Sequence, residues 1–174
     1  MPGMPGLRGV EHVGLTVPDF DAARDFFVRV MGCEFVVDGG VMDGPEVMEW
    51  QLGVDRRARC RWGFLRCGHG PNFEIFEYSG VEQREVPPRN SDIGGHHLAF
   101  YVDDMDAAVA HLRSEGIGIM GEPQLIETGP AAGARWVYFL APWGLQLELV
   151  SAPNGRGAAD SPSRRLWQPS FPWL

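Results

Sequence analysis

The 174-residue chain carries 15 basic residues, all arginine, against 23 acidic ones, for a formal net charge of -8 and 44% hydrophobic residues. That length and apolar content suit one compact core or two half-domains sharing one, and the acidic balance argues against nucleic-acid phosphates and anionic membrane surfaces as partners. With no lysine in the chain, Schiff-base chemistry and a P-loop nucleotide site are excluded, because both need an amine side chain.

The predicted elements begin with His12 to Val17, where apolar residues alternate with period two and read as a strand. Asp19 or Asp21 then caps a helix of about three turns, which Gly32 ends in a left-handed conformation. Further strands are predicted at Glu34 to Val37, Val47 to Leu52, Cys60 to Cys67 and Asn72 to Tyr78, with a turn at GHGP. The polar stretch SGVEQREVPPRNSDIGG is the connector. A second strand runs from His97 to Val102, and a second helix is capped by Asp104 or Asp106 and ended by Gly116. Strands at Ile117 to Met120, Arg135 to Leu140 and Leu145 to Ser151 complete that half. The fold class is α+β, built as two paired βαβββ modules, with residues 7–80 as the first, 81–95 as connector, 96–152 as the second, and 153–174 as a tail. Trp167, Phe171 and Trp173 in that tail are expected to dock on the body or on a partner subunit.

The two halves repeat. HVGLTVPDFDAARDFFVRVMGCEF aligns without a gap on HLAFYVDDMDAAVAHLRSEGIGIM, which places His12 opposite His97. Matching FEIF with LELV places Glu74 opposite Glu148, whereas Glu77 faces Ser151 and has no acidic counterpart. Strand alternation puts His12, Gly14 and Thr16 on one face, as it does His97, Ala99 and Tyr101, with the helices on the other. Two imidazoles and two carboxylates at equivalent positions on one face suit an octahedral site for one divalent metal ion: zinc, nickel, cobalt, manganese or iron. The plainer alternative has the histidines packing within their strands and the glutamates in water.

Other candidates rest on single positions. Glu49, in VMEWQLG, is a possible general base if its strand turns that side inward, and otherwise a surface carboxylate. Tyr101 can hydrogen-bond to a substrate or line its cavity. His96 falls on the helix side with Leu98 and Phe100, and its counterpart is Glu11, so the repeat gives it no role as a ligand. His69 and His111 read as surface residues, and Trp62, Trp136 and Trp143 as packing for sheets and turn. Cys33, Cys60 and Cys67 lack C-x-x-C spacing and read as isolated buried thiols. The start MPGMPGLRGV lacks the pattern of a secretory signal, and no run approaches the roughly 18 apolar residues that cross a bilayer. A cytoplasmic location is the expectation.

GVEHVGLTVPDFDAARDFF, GGHHLAFYVDDMDAAVAHL and WVYFLAPWGLQLELVS together resemble the vicinal oxygen chelate superfamily, which includes glyoxalase I, methylmalonyl-CoA epimerase, extradiol dioxygenases and the fosfomycin and bleomycin resistance proteins. The resemblance spans about Leu7 to Ser151. It implies that the modules' sheets curl around a cleft whose metal is held by His12, Glu74, His97 and Glu148, with a homodimer as the expected assembly. It also implies a small-molecule substrate whose adjacent oxygens bind the metal, which stabilises an enolate. A ligating glutamate, Glu74 or Glu148, can then move the proton. Four protein ligands favour isomerase, epimerase or lyase chemistry over ring-cleaving oxygenation, which uses two His and one carboxylate. An iron-dependent extradiol dioxygenase and a non-catalytic drug-binding resistance protein are the alternatives.

Overall fold

A computed structural model describes residues 4–155. The tail from residue 156 on, with its three aromatic residues, lies outside the described residues. The chain divides into two compact units, Met1–Glu85 and Val86–Leu174, and the division falls inside the polar stretch read as connector.

The first unit runs β1 (His12–Thr16), α1 (Phe20–Asp25), β2 (Glu34–Met42), β3 (Arg59–Arg66) and β4 (Asn72–Ser79). A π-helical turn, Phe26–Val30, continues α1. The second unit runs β5 (Leu98–Tyr101), α2 (Met105–Ser114), β6 (Ile119–Leu125), β7 (Arg135–Leu140) and β8 (Gln146–Ser151). Each unit forms one four-stranded sheet, in the orders β1-β4-β3-β2 and β5-β8-β7-β6. In both, the first strand pairs parallel to the last and the other pairings are antiparallel. The sequence repeat is therefore a repeat of topology.

Local chemistry accounts for the helix ends. The Asp19 side chain accepts from the Ala22 amide, and Asp104 accepts from the amides of Asp106 and Ala107, satisfying donors that a helix leaves open. Gly32 and Gly116 take φ of 72° and 74° after the helices, a conformation that costs a side-chain-bearing residue and not glycine. The helical face of each sheet is the core. Leu15, Phe20, Ala23, Phe27, Leu65, Phe73 and Ile75 are buried in the first unit, and Phe100, Met105, Val109, Leu112, Phe139, Leu147 and Leu149 in the second.

Two expectations are corrected. Val47–Gln51 is a π-helical turn and not a strand. Its alternation of apolar and polar residues looks extended, but Pro45 and Glu46 before it are already helical. Proline's fixed φ favours the first turn of a helix, where no amide donor is missed. The turn buries Met48 with Ala58 and Cys60, against Trp62, Phe76 and Tyr78. Secondly, the thiols are not all isolated and buried: those of Cys33 and Cys67 interact with each other, and Cys67 is only half-buried. Among the described residues, no helix is long and apolar enough to cross a membrane.

Candidate metal centre

The face of each sheet away from its helix gathers the predicted ligands in pairs. In the first unit the parallel register sets Gly14 beside Glu74 and His12 beside Asn72. Leu15 is buried on the helical side, so alternation turns His12, Gly14 and Glu74 to the open side. His12 Nε2 lies 3.3 Å from Glu74 Oε2. In the second unit, Ala99 pairs with Glu148, and His97 Nε2 lies 3.1 Å from Glu148 Oε2. The side chains of Glu74 and Glu148 are 16% and 14% exposed, and those of His12 and His97 41% and 36%. Each pair thus has a sheltered carboxylate and an imidazole open to an incoming group.

His12 is further constrained from behind. Its Nδ1 stands 2.5 Å from Glu11 Oε2, and Asn72 Nδ2 donates to Glu11 Oε1 at 2.9 Å. These two hydrogen bonds, that from His12 foremost, hold the Glu11 carboxyl below its ordinary range. An ionised carboxylate only accepts, so a neutral His12 in this contact keeps its proton on Nδ1 and turns the Nε2 lone pair towards Glu74. Burial pushes the Glu74 carboxyl up, against the opposing pull of His12.

This arrangement suits a cation. With the Nδ1 proton committed to Glu11, Nε2 and Glu74 Oε2 are two acceptors facing each other, a repulsive contact that a shared positive charge relieves. Two cis donors, each about 2.1 Å from one octahedral ion, stand roughly 3 Å apart, close to both observed separations. Nitrogen and oxygen donors without thiolate fit zinc, nickel, cobalt, manganese or iron. Among the described residues, no group of three or more His, Cys, Asp or Glu side chains is placed to hold one ion. Each unit carries one His–Glu pair.

The repeat extends to aromatic neighbours, of which sequence reasoning assigned Trp62 and Trp136 to packing. Phe64 meets the His12 ring edge to face at 5.5 Å, and Trp62 meets Phe64 at 5.9 Å. Tyr138 meets His97 at 5.1 Å, and Trp136 meets Tyr138 at 5.3 Å. A usable signal was present: RWGF and RWVY stand at the same offset as Glu74 and Glu148. Gly39 admits the Trp62 ring, since a Cβ there would fall 2.1 Å from it. On the open face of the second unit, Ala99, Trp136, Tyr138, Glu148 and Val150, with Ile126 of the β6–β7 loop, line a cavity of about 400 Å³. Burial, with Glu148 nearby, pushes the Tyr138 phenol up.

The remaining candidates fall as follows. Glu49 lies on the π-helical turn with an exposed side chain, so the inward strand face that would have made it a base does not exist. The Tyr101 hydroxyl is buried without a hydrogen-bond partner among the described residues. His96 is exposed, with Nδ1 3.1 Å from the Gly94 carbonyl oxygen, and does not pack on the helical side. His69 and His111 are exposed. Glu77 turns away from the pair and accepts from the Phe20 amide at 2.8 Å.

A family model described as the glyoxalase/bleomycin resistance protein/dioxygenase superfamily matches residues 11–139. The chain is 45% identical to a 2-epi-5-epi-valiolone epimerase from an Actinomyces species, over 98% of this chain and 94% of that one. It is 32% identical to the uncharacterized protein YaeR of Escherichia coli K12, over 84% and 98%. A solved glyoxalase family protein from Bacillus cereus matches the fold with a TM-score of 0.68 at 17% identity, covering 86% of this chain and 98% of that one. The similarity to the epimerase, over nearly the whole of both chains, supports an enzyme of isomerase type.

Proposed function

Because the chain belongs to the glyoxalase/bleomycin resistance protein/dioxygenase superfamily, we propose that it is a metal-dependent epimerase acting on a small, oxygen-rich ketone. The duplicated His–Glu pair, at 3.1 and 3.3 Å, carries this reading. His12 and Glu74 of the first unit and His97 and Glu148 of the second are the residues that would hold the divalent ion. When bound, the ion supplies Lewis acidity that polarises a carbonyl and favours loss of a proton from the adjacent carbon.

The chain's own residues supply the rest. Glu11 fixes the tautomer of His12. Epimerisation removes a proton from one face of a carbon and returns one to the other, which calls for two proton carriers. Glu74 and Glu148 provide one from each unit. Glu74, already pushed up by burial, is the better suited to hold a proton between the steps. Trp136 and Tyr138 beside Glu148 offer flat walls to a ring-shaped substrate.

The test combines metal analysis with isotope exchange. Protein purified without chelator is expected to hold near-stoichiometric divalent metal and to wash solvent deuterium into the carbon beside the carbonyl of 2-epi-5-epi-valiolone, without oxygen uptake. His12→Ala and His97→Ala should each lose the metal and the exchange. Oxygen consumption with catechols in the ferrous protein, or a chain that binds no metal after supplementation, would overturn the reading. Light scattering at twice the chain mass is the expected result for a homodimer.

A further inference from the structure

Cys33 and Cys67 take no part in the chemistry proposed above. The antiparallel register of β2 and β3 sets Glu34 opposite Arg66 and Phe35 opposite Leu65, and one step further brings Cys33 opposite Cys67. Alternation carried one step past the strand ends puts both thiols on the face of Phe35 and Leu65, where the two side chains interact with each other. The Cys33 amide donates to the Phe27 carbonyl at 2.9 Å, and the Cys67 carbonyl accepts from Gly70 at 3.1 Å, so this pair does not exchange ladder bonds. One step past the last pair of the ladder, Cys33 and Cys67 are expected near the Cα separation of facing residues, about 4.5 to 5.5 Å. That lies within the roughly 4.4 to 6.8 Å that a disulfide bridges.

The two sulfurs differ in access and acidity. Cys33 is 5% exposed, while Cys67 is half-buried. Their mutual interaction lowers Cys67 from the usual thiol range and raises Cys33, which burial raises further. Cys67 is therefore the sulfur that reacts first and Cys33 the one that resolves. Cys60 lies on the opposite face of β3, buried with Met48 and Ala58.

We propose that Cys33 and Cys67 form a redox site which a peroxide converts to an intramolecular disulfide. The Cys67 thiolate attacks one peroxide oxygen, the O–O bond breaks, and the departing oxygen keeps the electron pair and takes a proton, leaving Cys67 as the sulfenic acid. The Cys33 sulfur then attacks that of Cys67. The S–S bond forms, the S–O bond breaks, and hydroxide leaves with the Cys33 proton as water. Two thiols are oxidised to one disulfide as hydrogen peroxide is reduced to two waters, and a dithiol reductant reverses the bond by exchange.

The experiment uses the reduced full chain treated with a small excess of hydrogen peroxide. Intact mass should fall by about 2 Da as two thiol hydrogens leave, and the denatured thiol count should fall from three to one. Peptide mapping should join the segments holding residues 33 and 67, and dithiothreitol should restore all thiols. The oxidised protein should melt several degrees higher than the reduced one, since the bridge closes a loop in the unfolded chain. Cys67→Ser should abolish these changes and Cys60→Ser should leave them intact. Cys33→Ser should also abolish them, but serine at that buried site can disturb folding, so Cys67→Ser decides. Oxygen added to Cys67 with no loss of hydrogen, a bridge to Cys60, or a bridge between two chains would overturn the proposal.

Discussion

Glu11 and His96 occupy equivalent places in the repeat, yet the two do different work. Glu11 accepts from His12 and is steadied by Asn72, while His96 turns back to the Gly94 carbonyl. Groups that orient a metal-bound histidine commonly matter about 10- to 100-fold in metal affinity. Glu11→Ala is accordingly expected to weaken metal binding by that order in a chelator competition, with the melting temperature of the metal-free protein little changed. Glu11→Gln, which keeps an acceptor, should fall between. Wild-type affinity in Glu11→Ala would reduce Glu11 to a surface residue. The placement of His12 and His97 on the open faces was legible in the sequence because their repeat offset and strand face are both local patterns. The grip of Asn72 on Glu11 was not, because it links residues that only strand pairing brings together.

Each helix is tied to its sheet by contacts that also recur. Arg61 of β3 reaches Asp21 of α1 at 2.7 Å, and Arg135 of β7 reaches Asp106 of α2 at 2.8 Å. The arginine hydrogen bonds hold both carboxyls below their ordinary range. A carboxyl whose folded pKa is depressed adds stability above its unfolded pKa, near 3.9, and loses it as pH falls through the folded value. Asp21→Asn and Asp106→Asn should therefore lower stability at neutral pH and flatten its decline below about pH 4, as read from melting temperature against pH. Glu77 is the odd member of its repeat pair because it accepts from the first amide of α1. Its replacement by Ala should cost about 1 kcal/mol in denaturant unfolding, as lost caps do, and leave metal binding alone. The Pro45 signal shows why Val47–Gln51 was misread as a strand: alternation over six residues is compatible with either state, and the proline that starts a helix lies just before the window.

For the molecule as a whole, the proposed metal site would link metal binding to folding, since an ion held by the native arrangement is not held by the unfolded chain. Free metal at about 100 times its dissociation constant should add roughly 2.7 kcal/mol, seen as a rise in melting temperature that EDTA removes. His12→Ala and His97→Ala should show no such rise. The sequence by itself determined the two βαβββ modules, the open and helical faces, and the face on which the four candidate donors stand, because periodicity and a gapless repeat are properties of neighbours along the chain. Only the tertiary structure decided that imidazole and carboxylate stand 3.1 and 3.3 Å apart, that Trp62 and Trp136 stand over the aromatic rings beside the histidines, and that Cys33 meets Cys67. Those contacts depend on which residues face each other across paired strands, and that register is set by bulges, turns and packing distant in the chain.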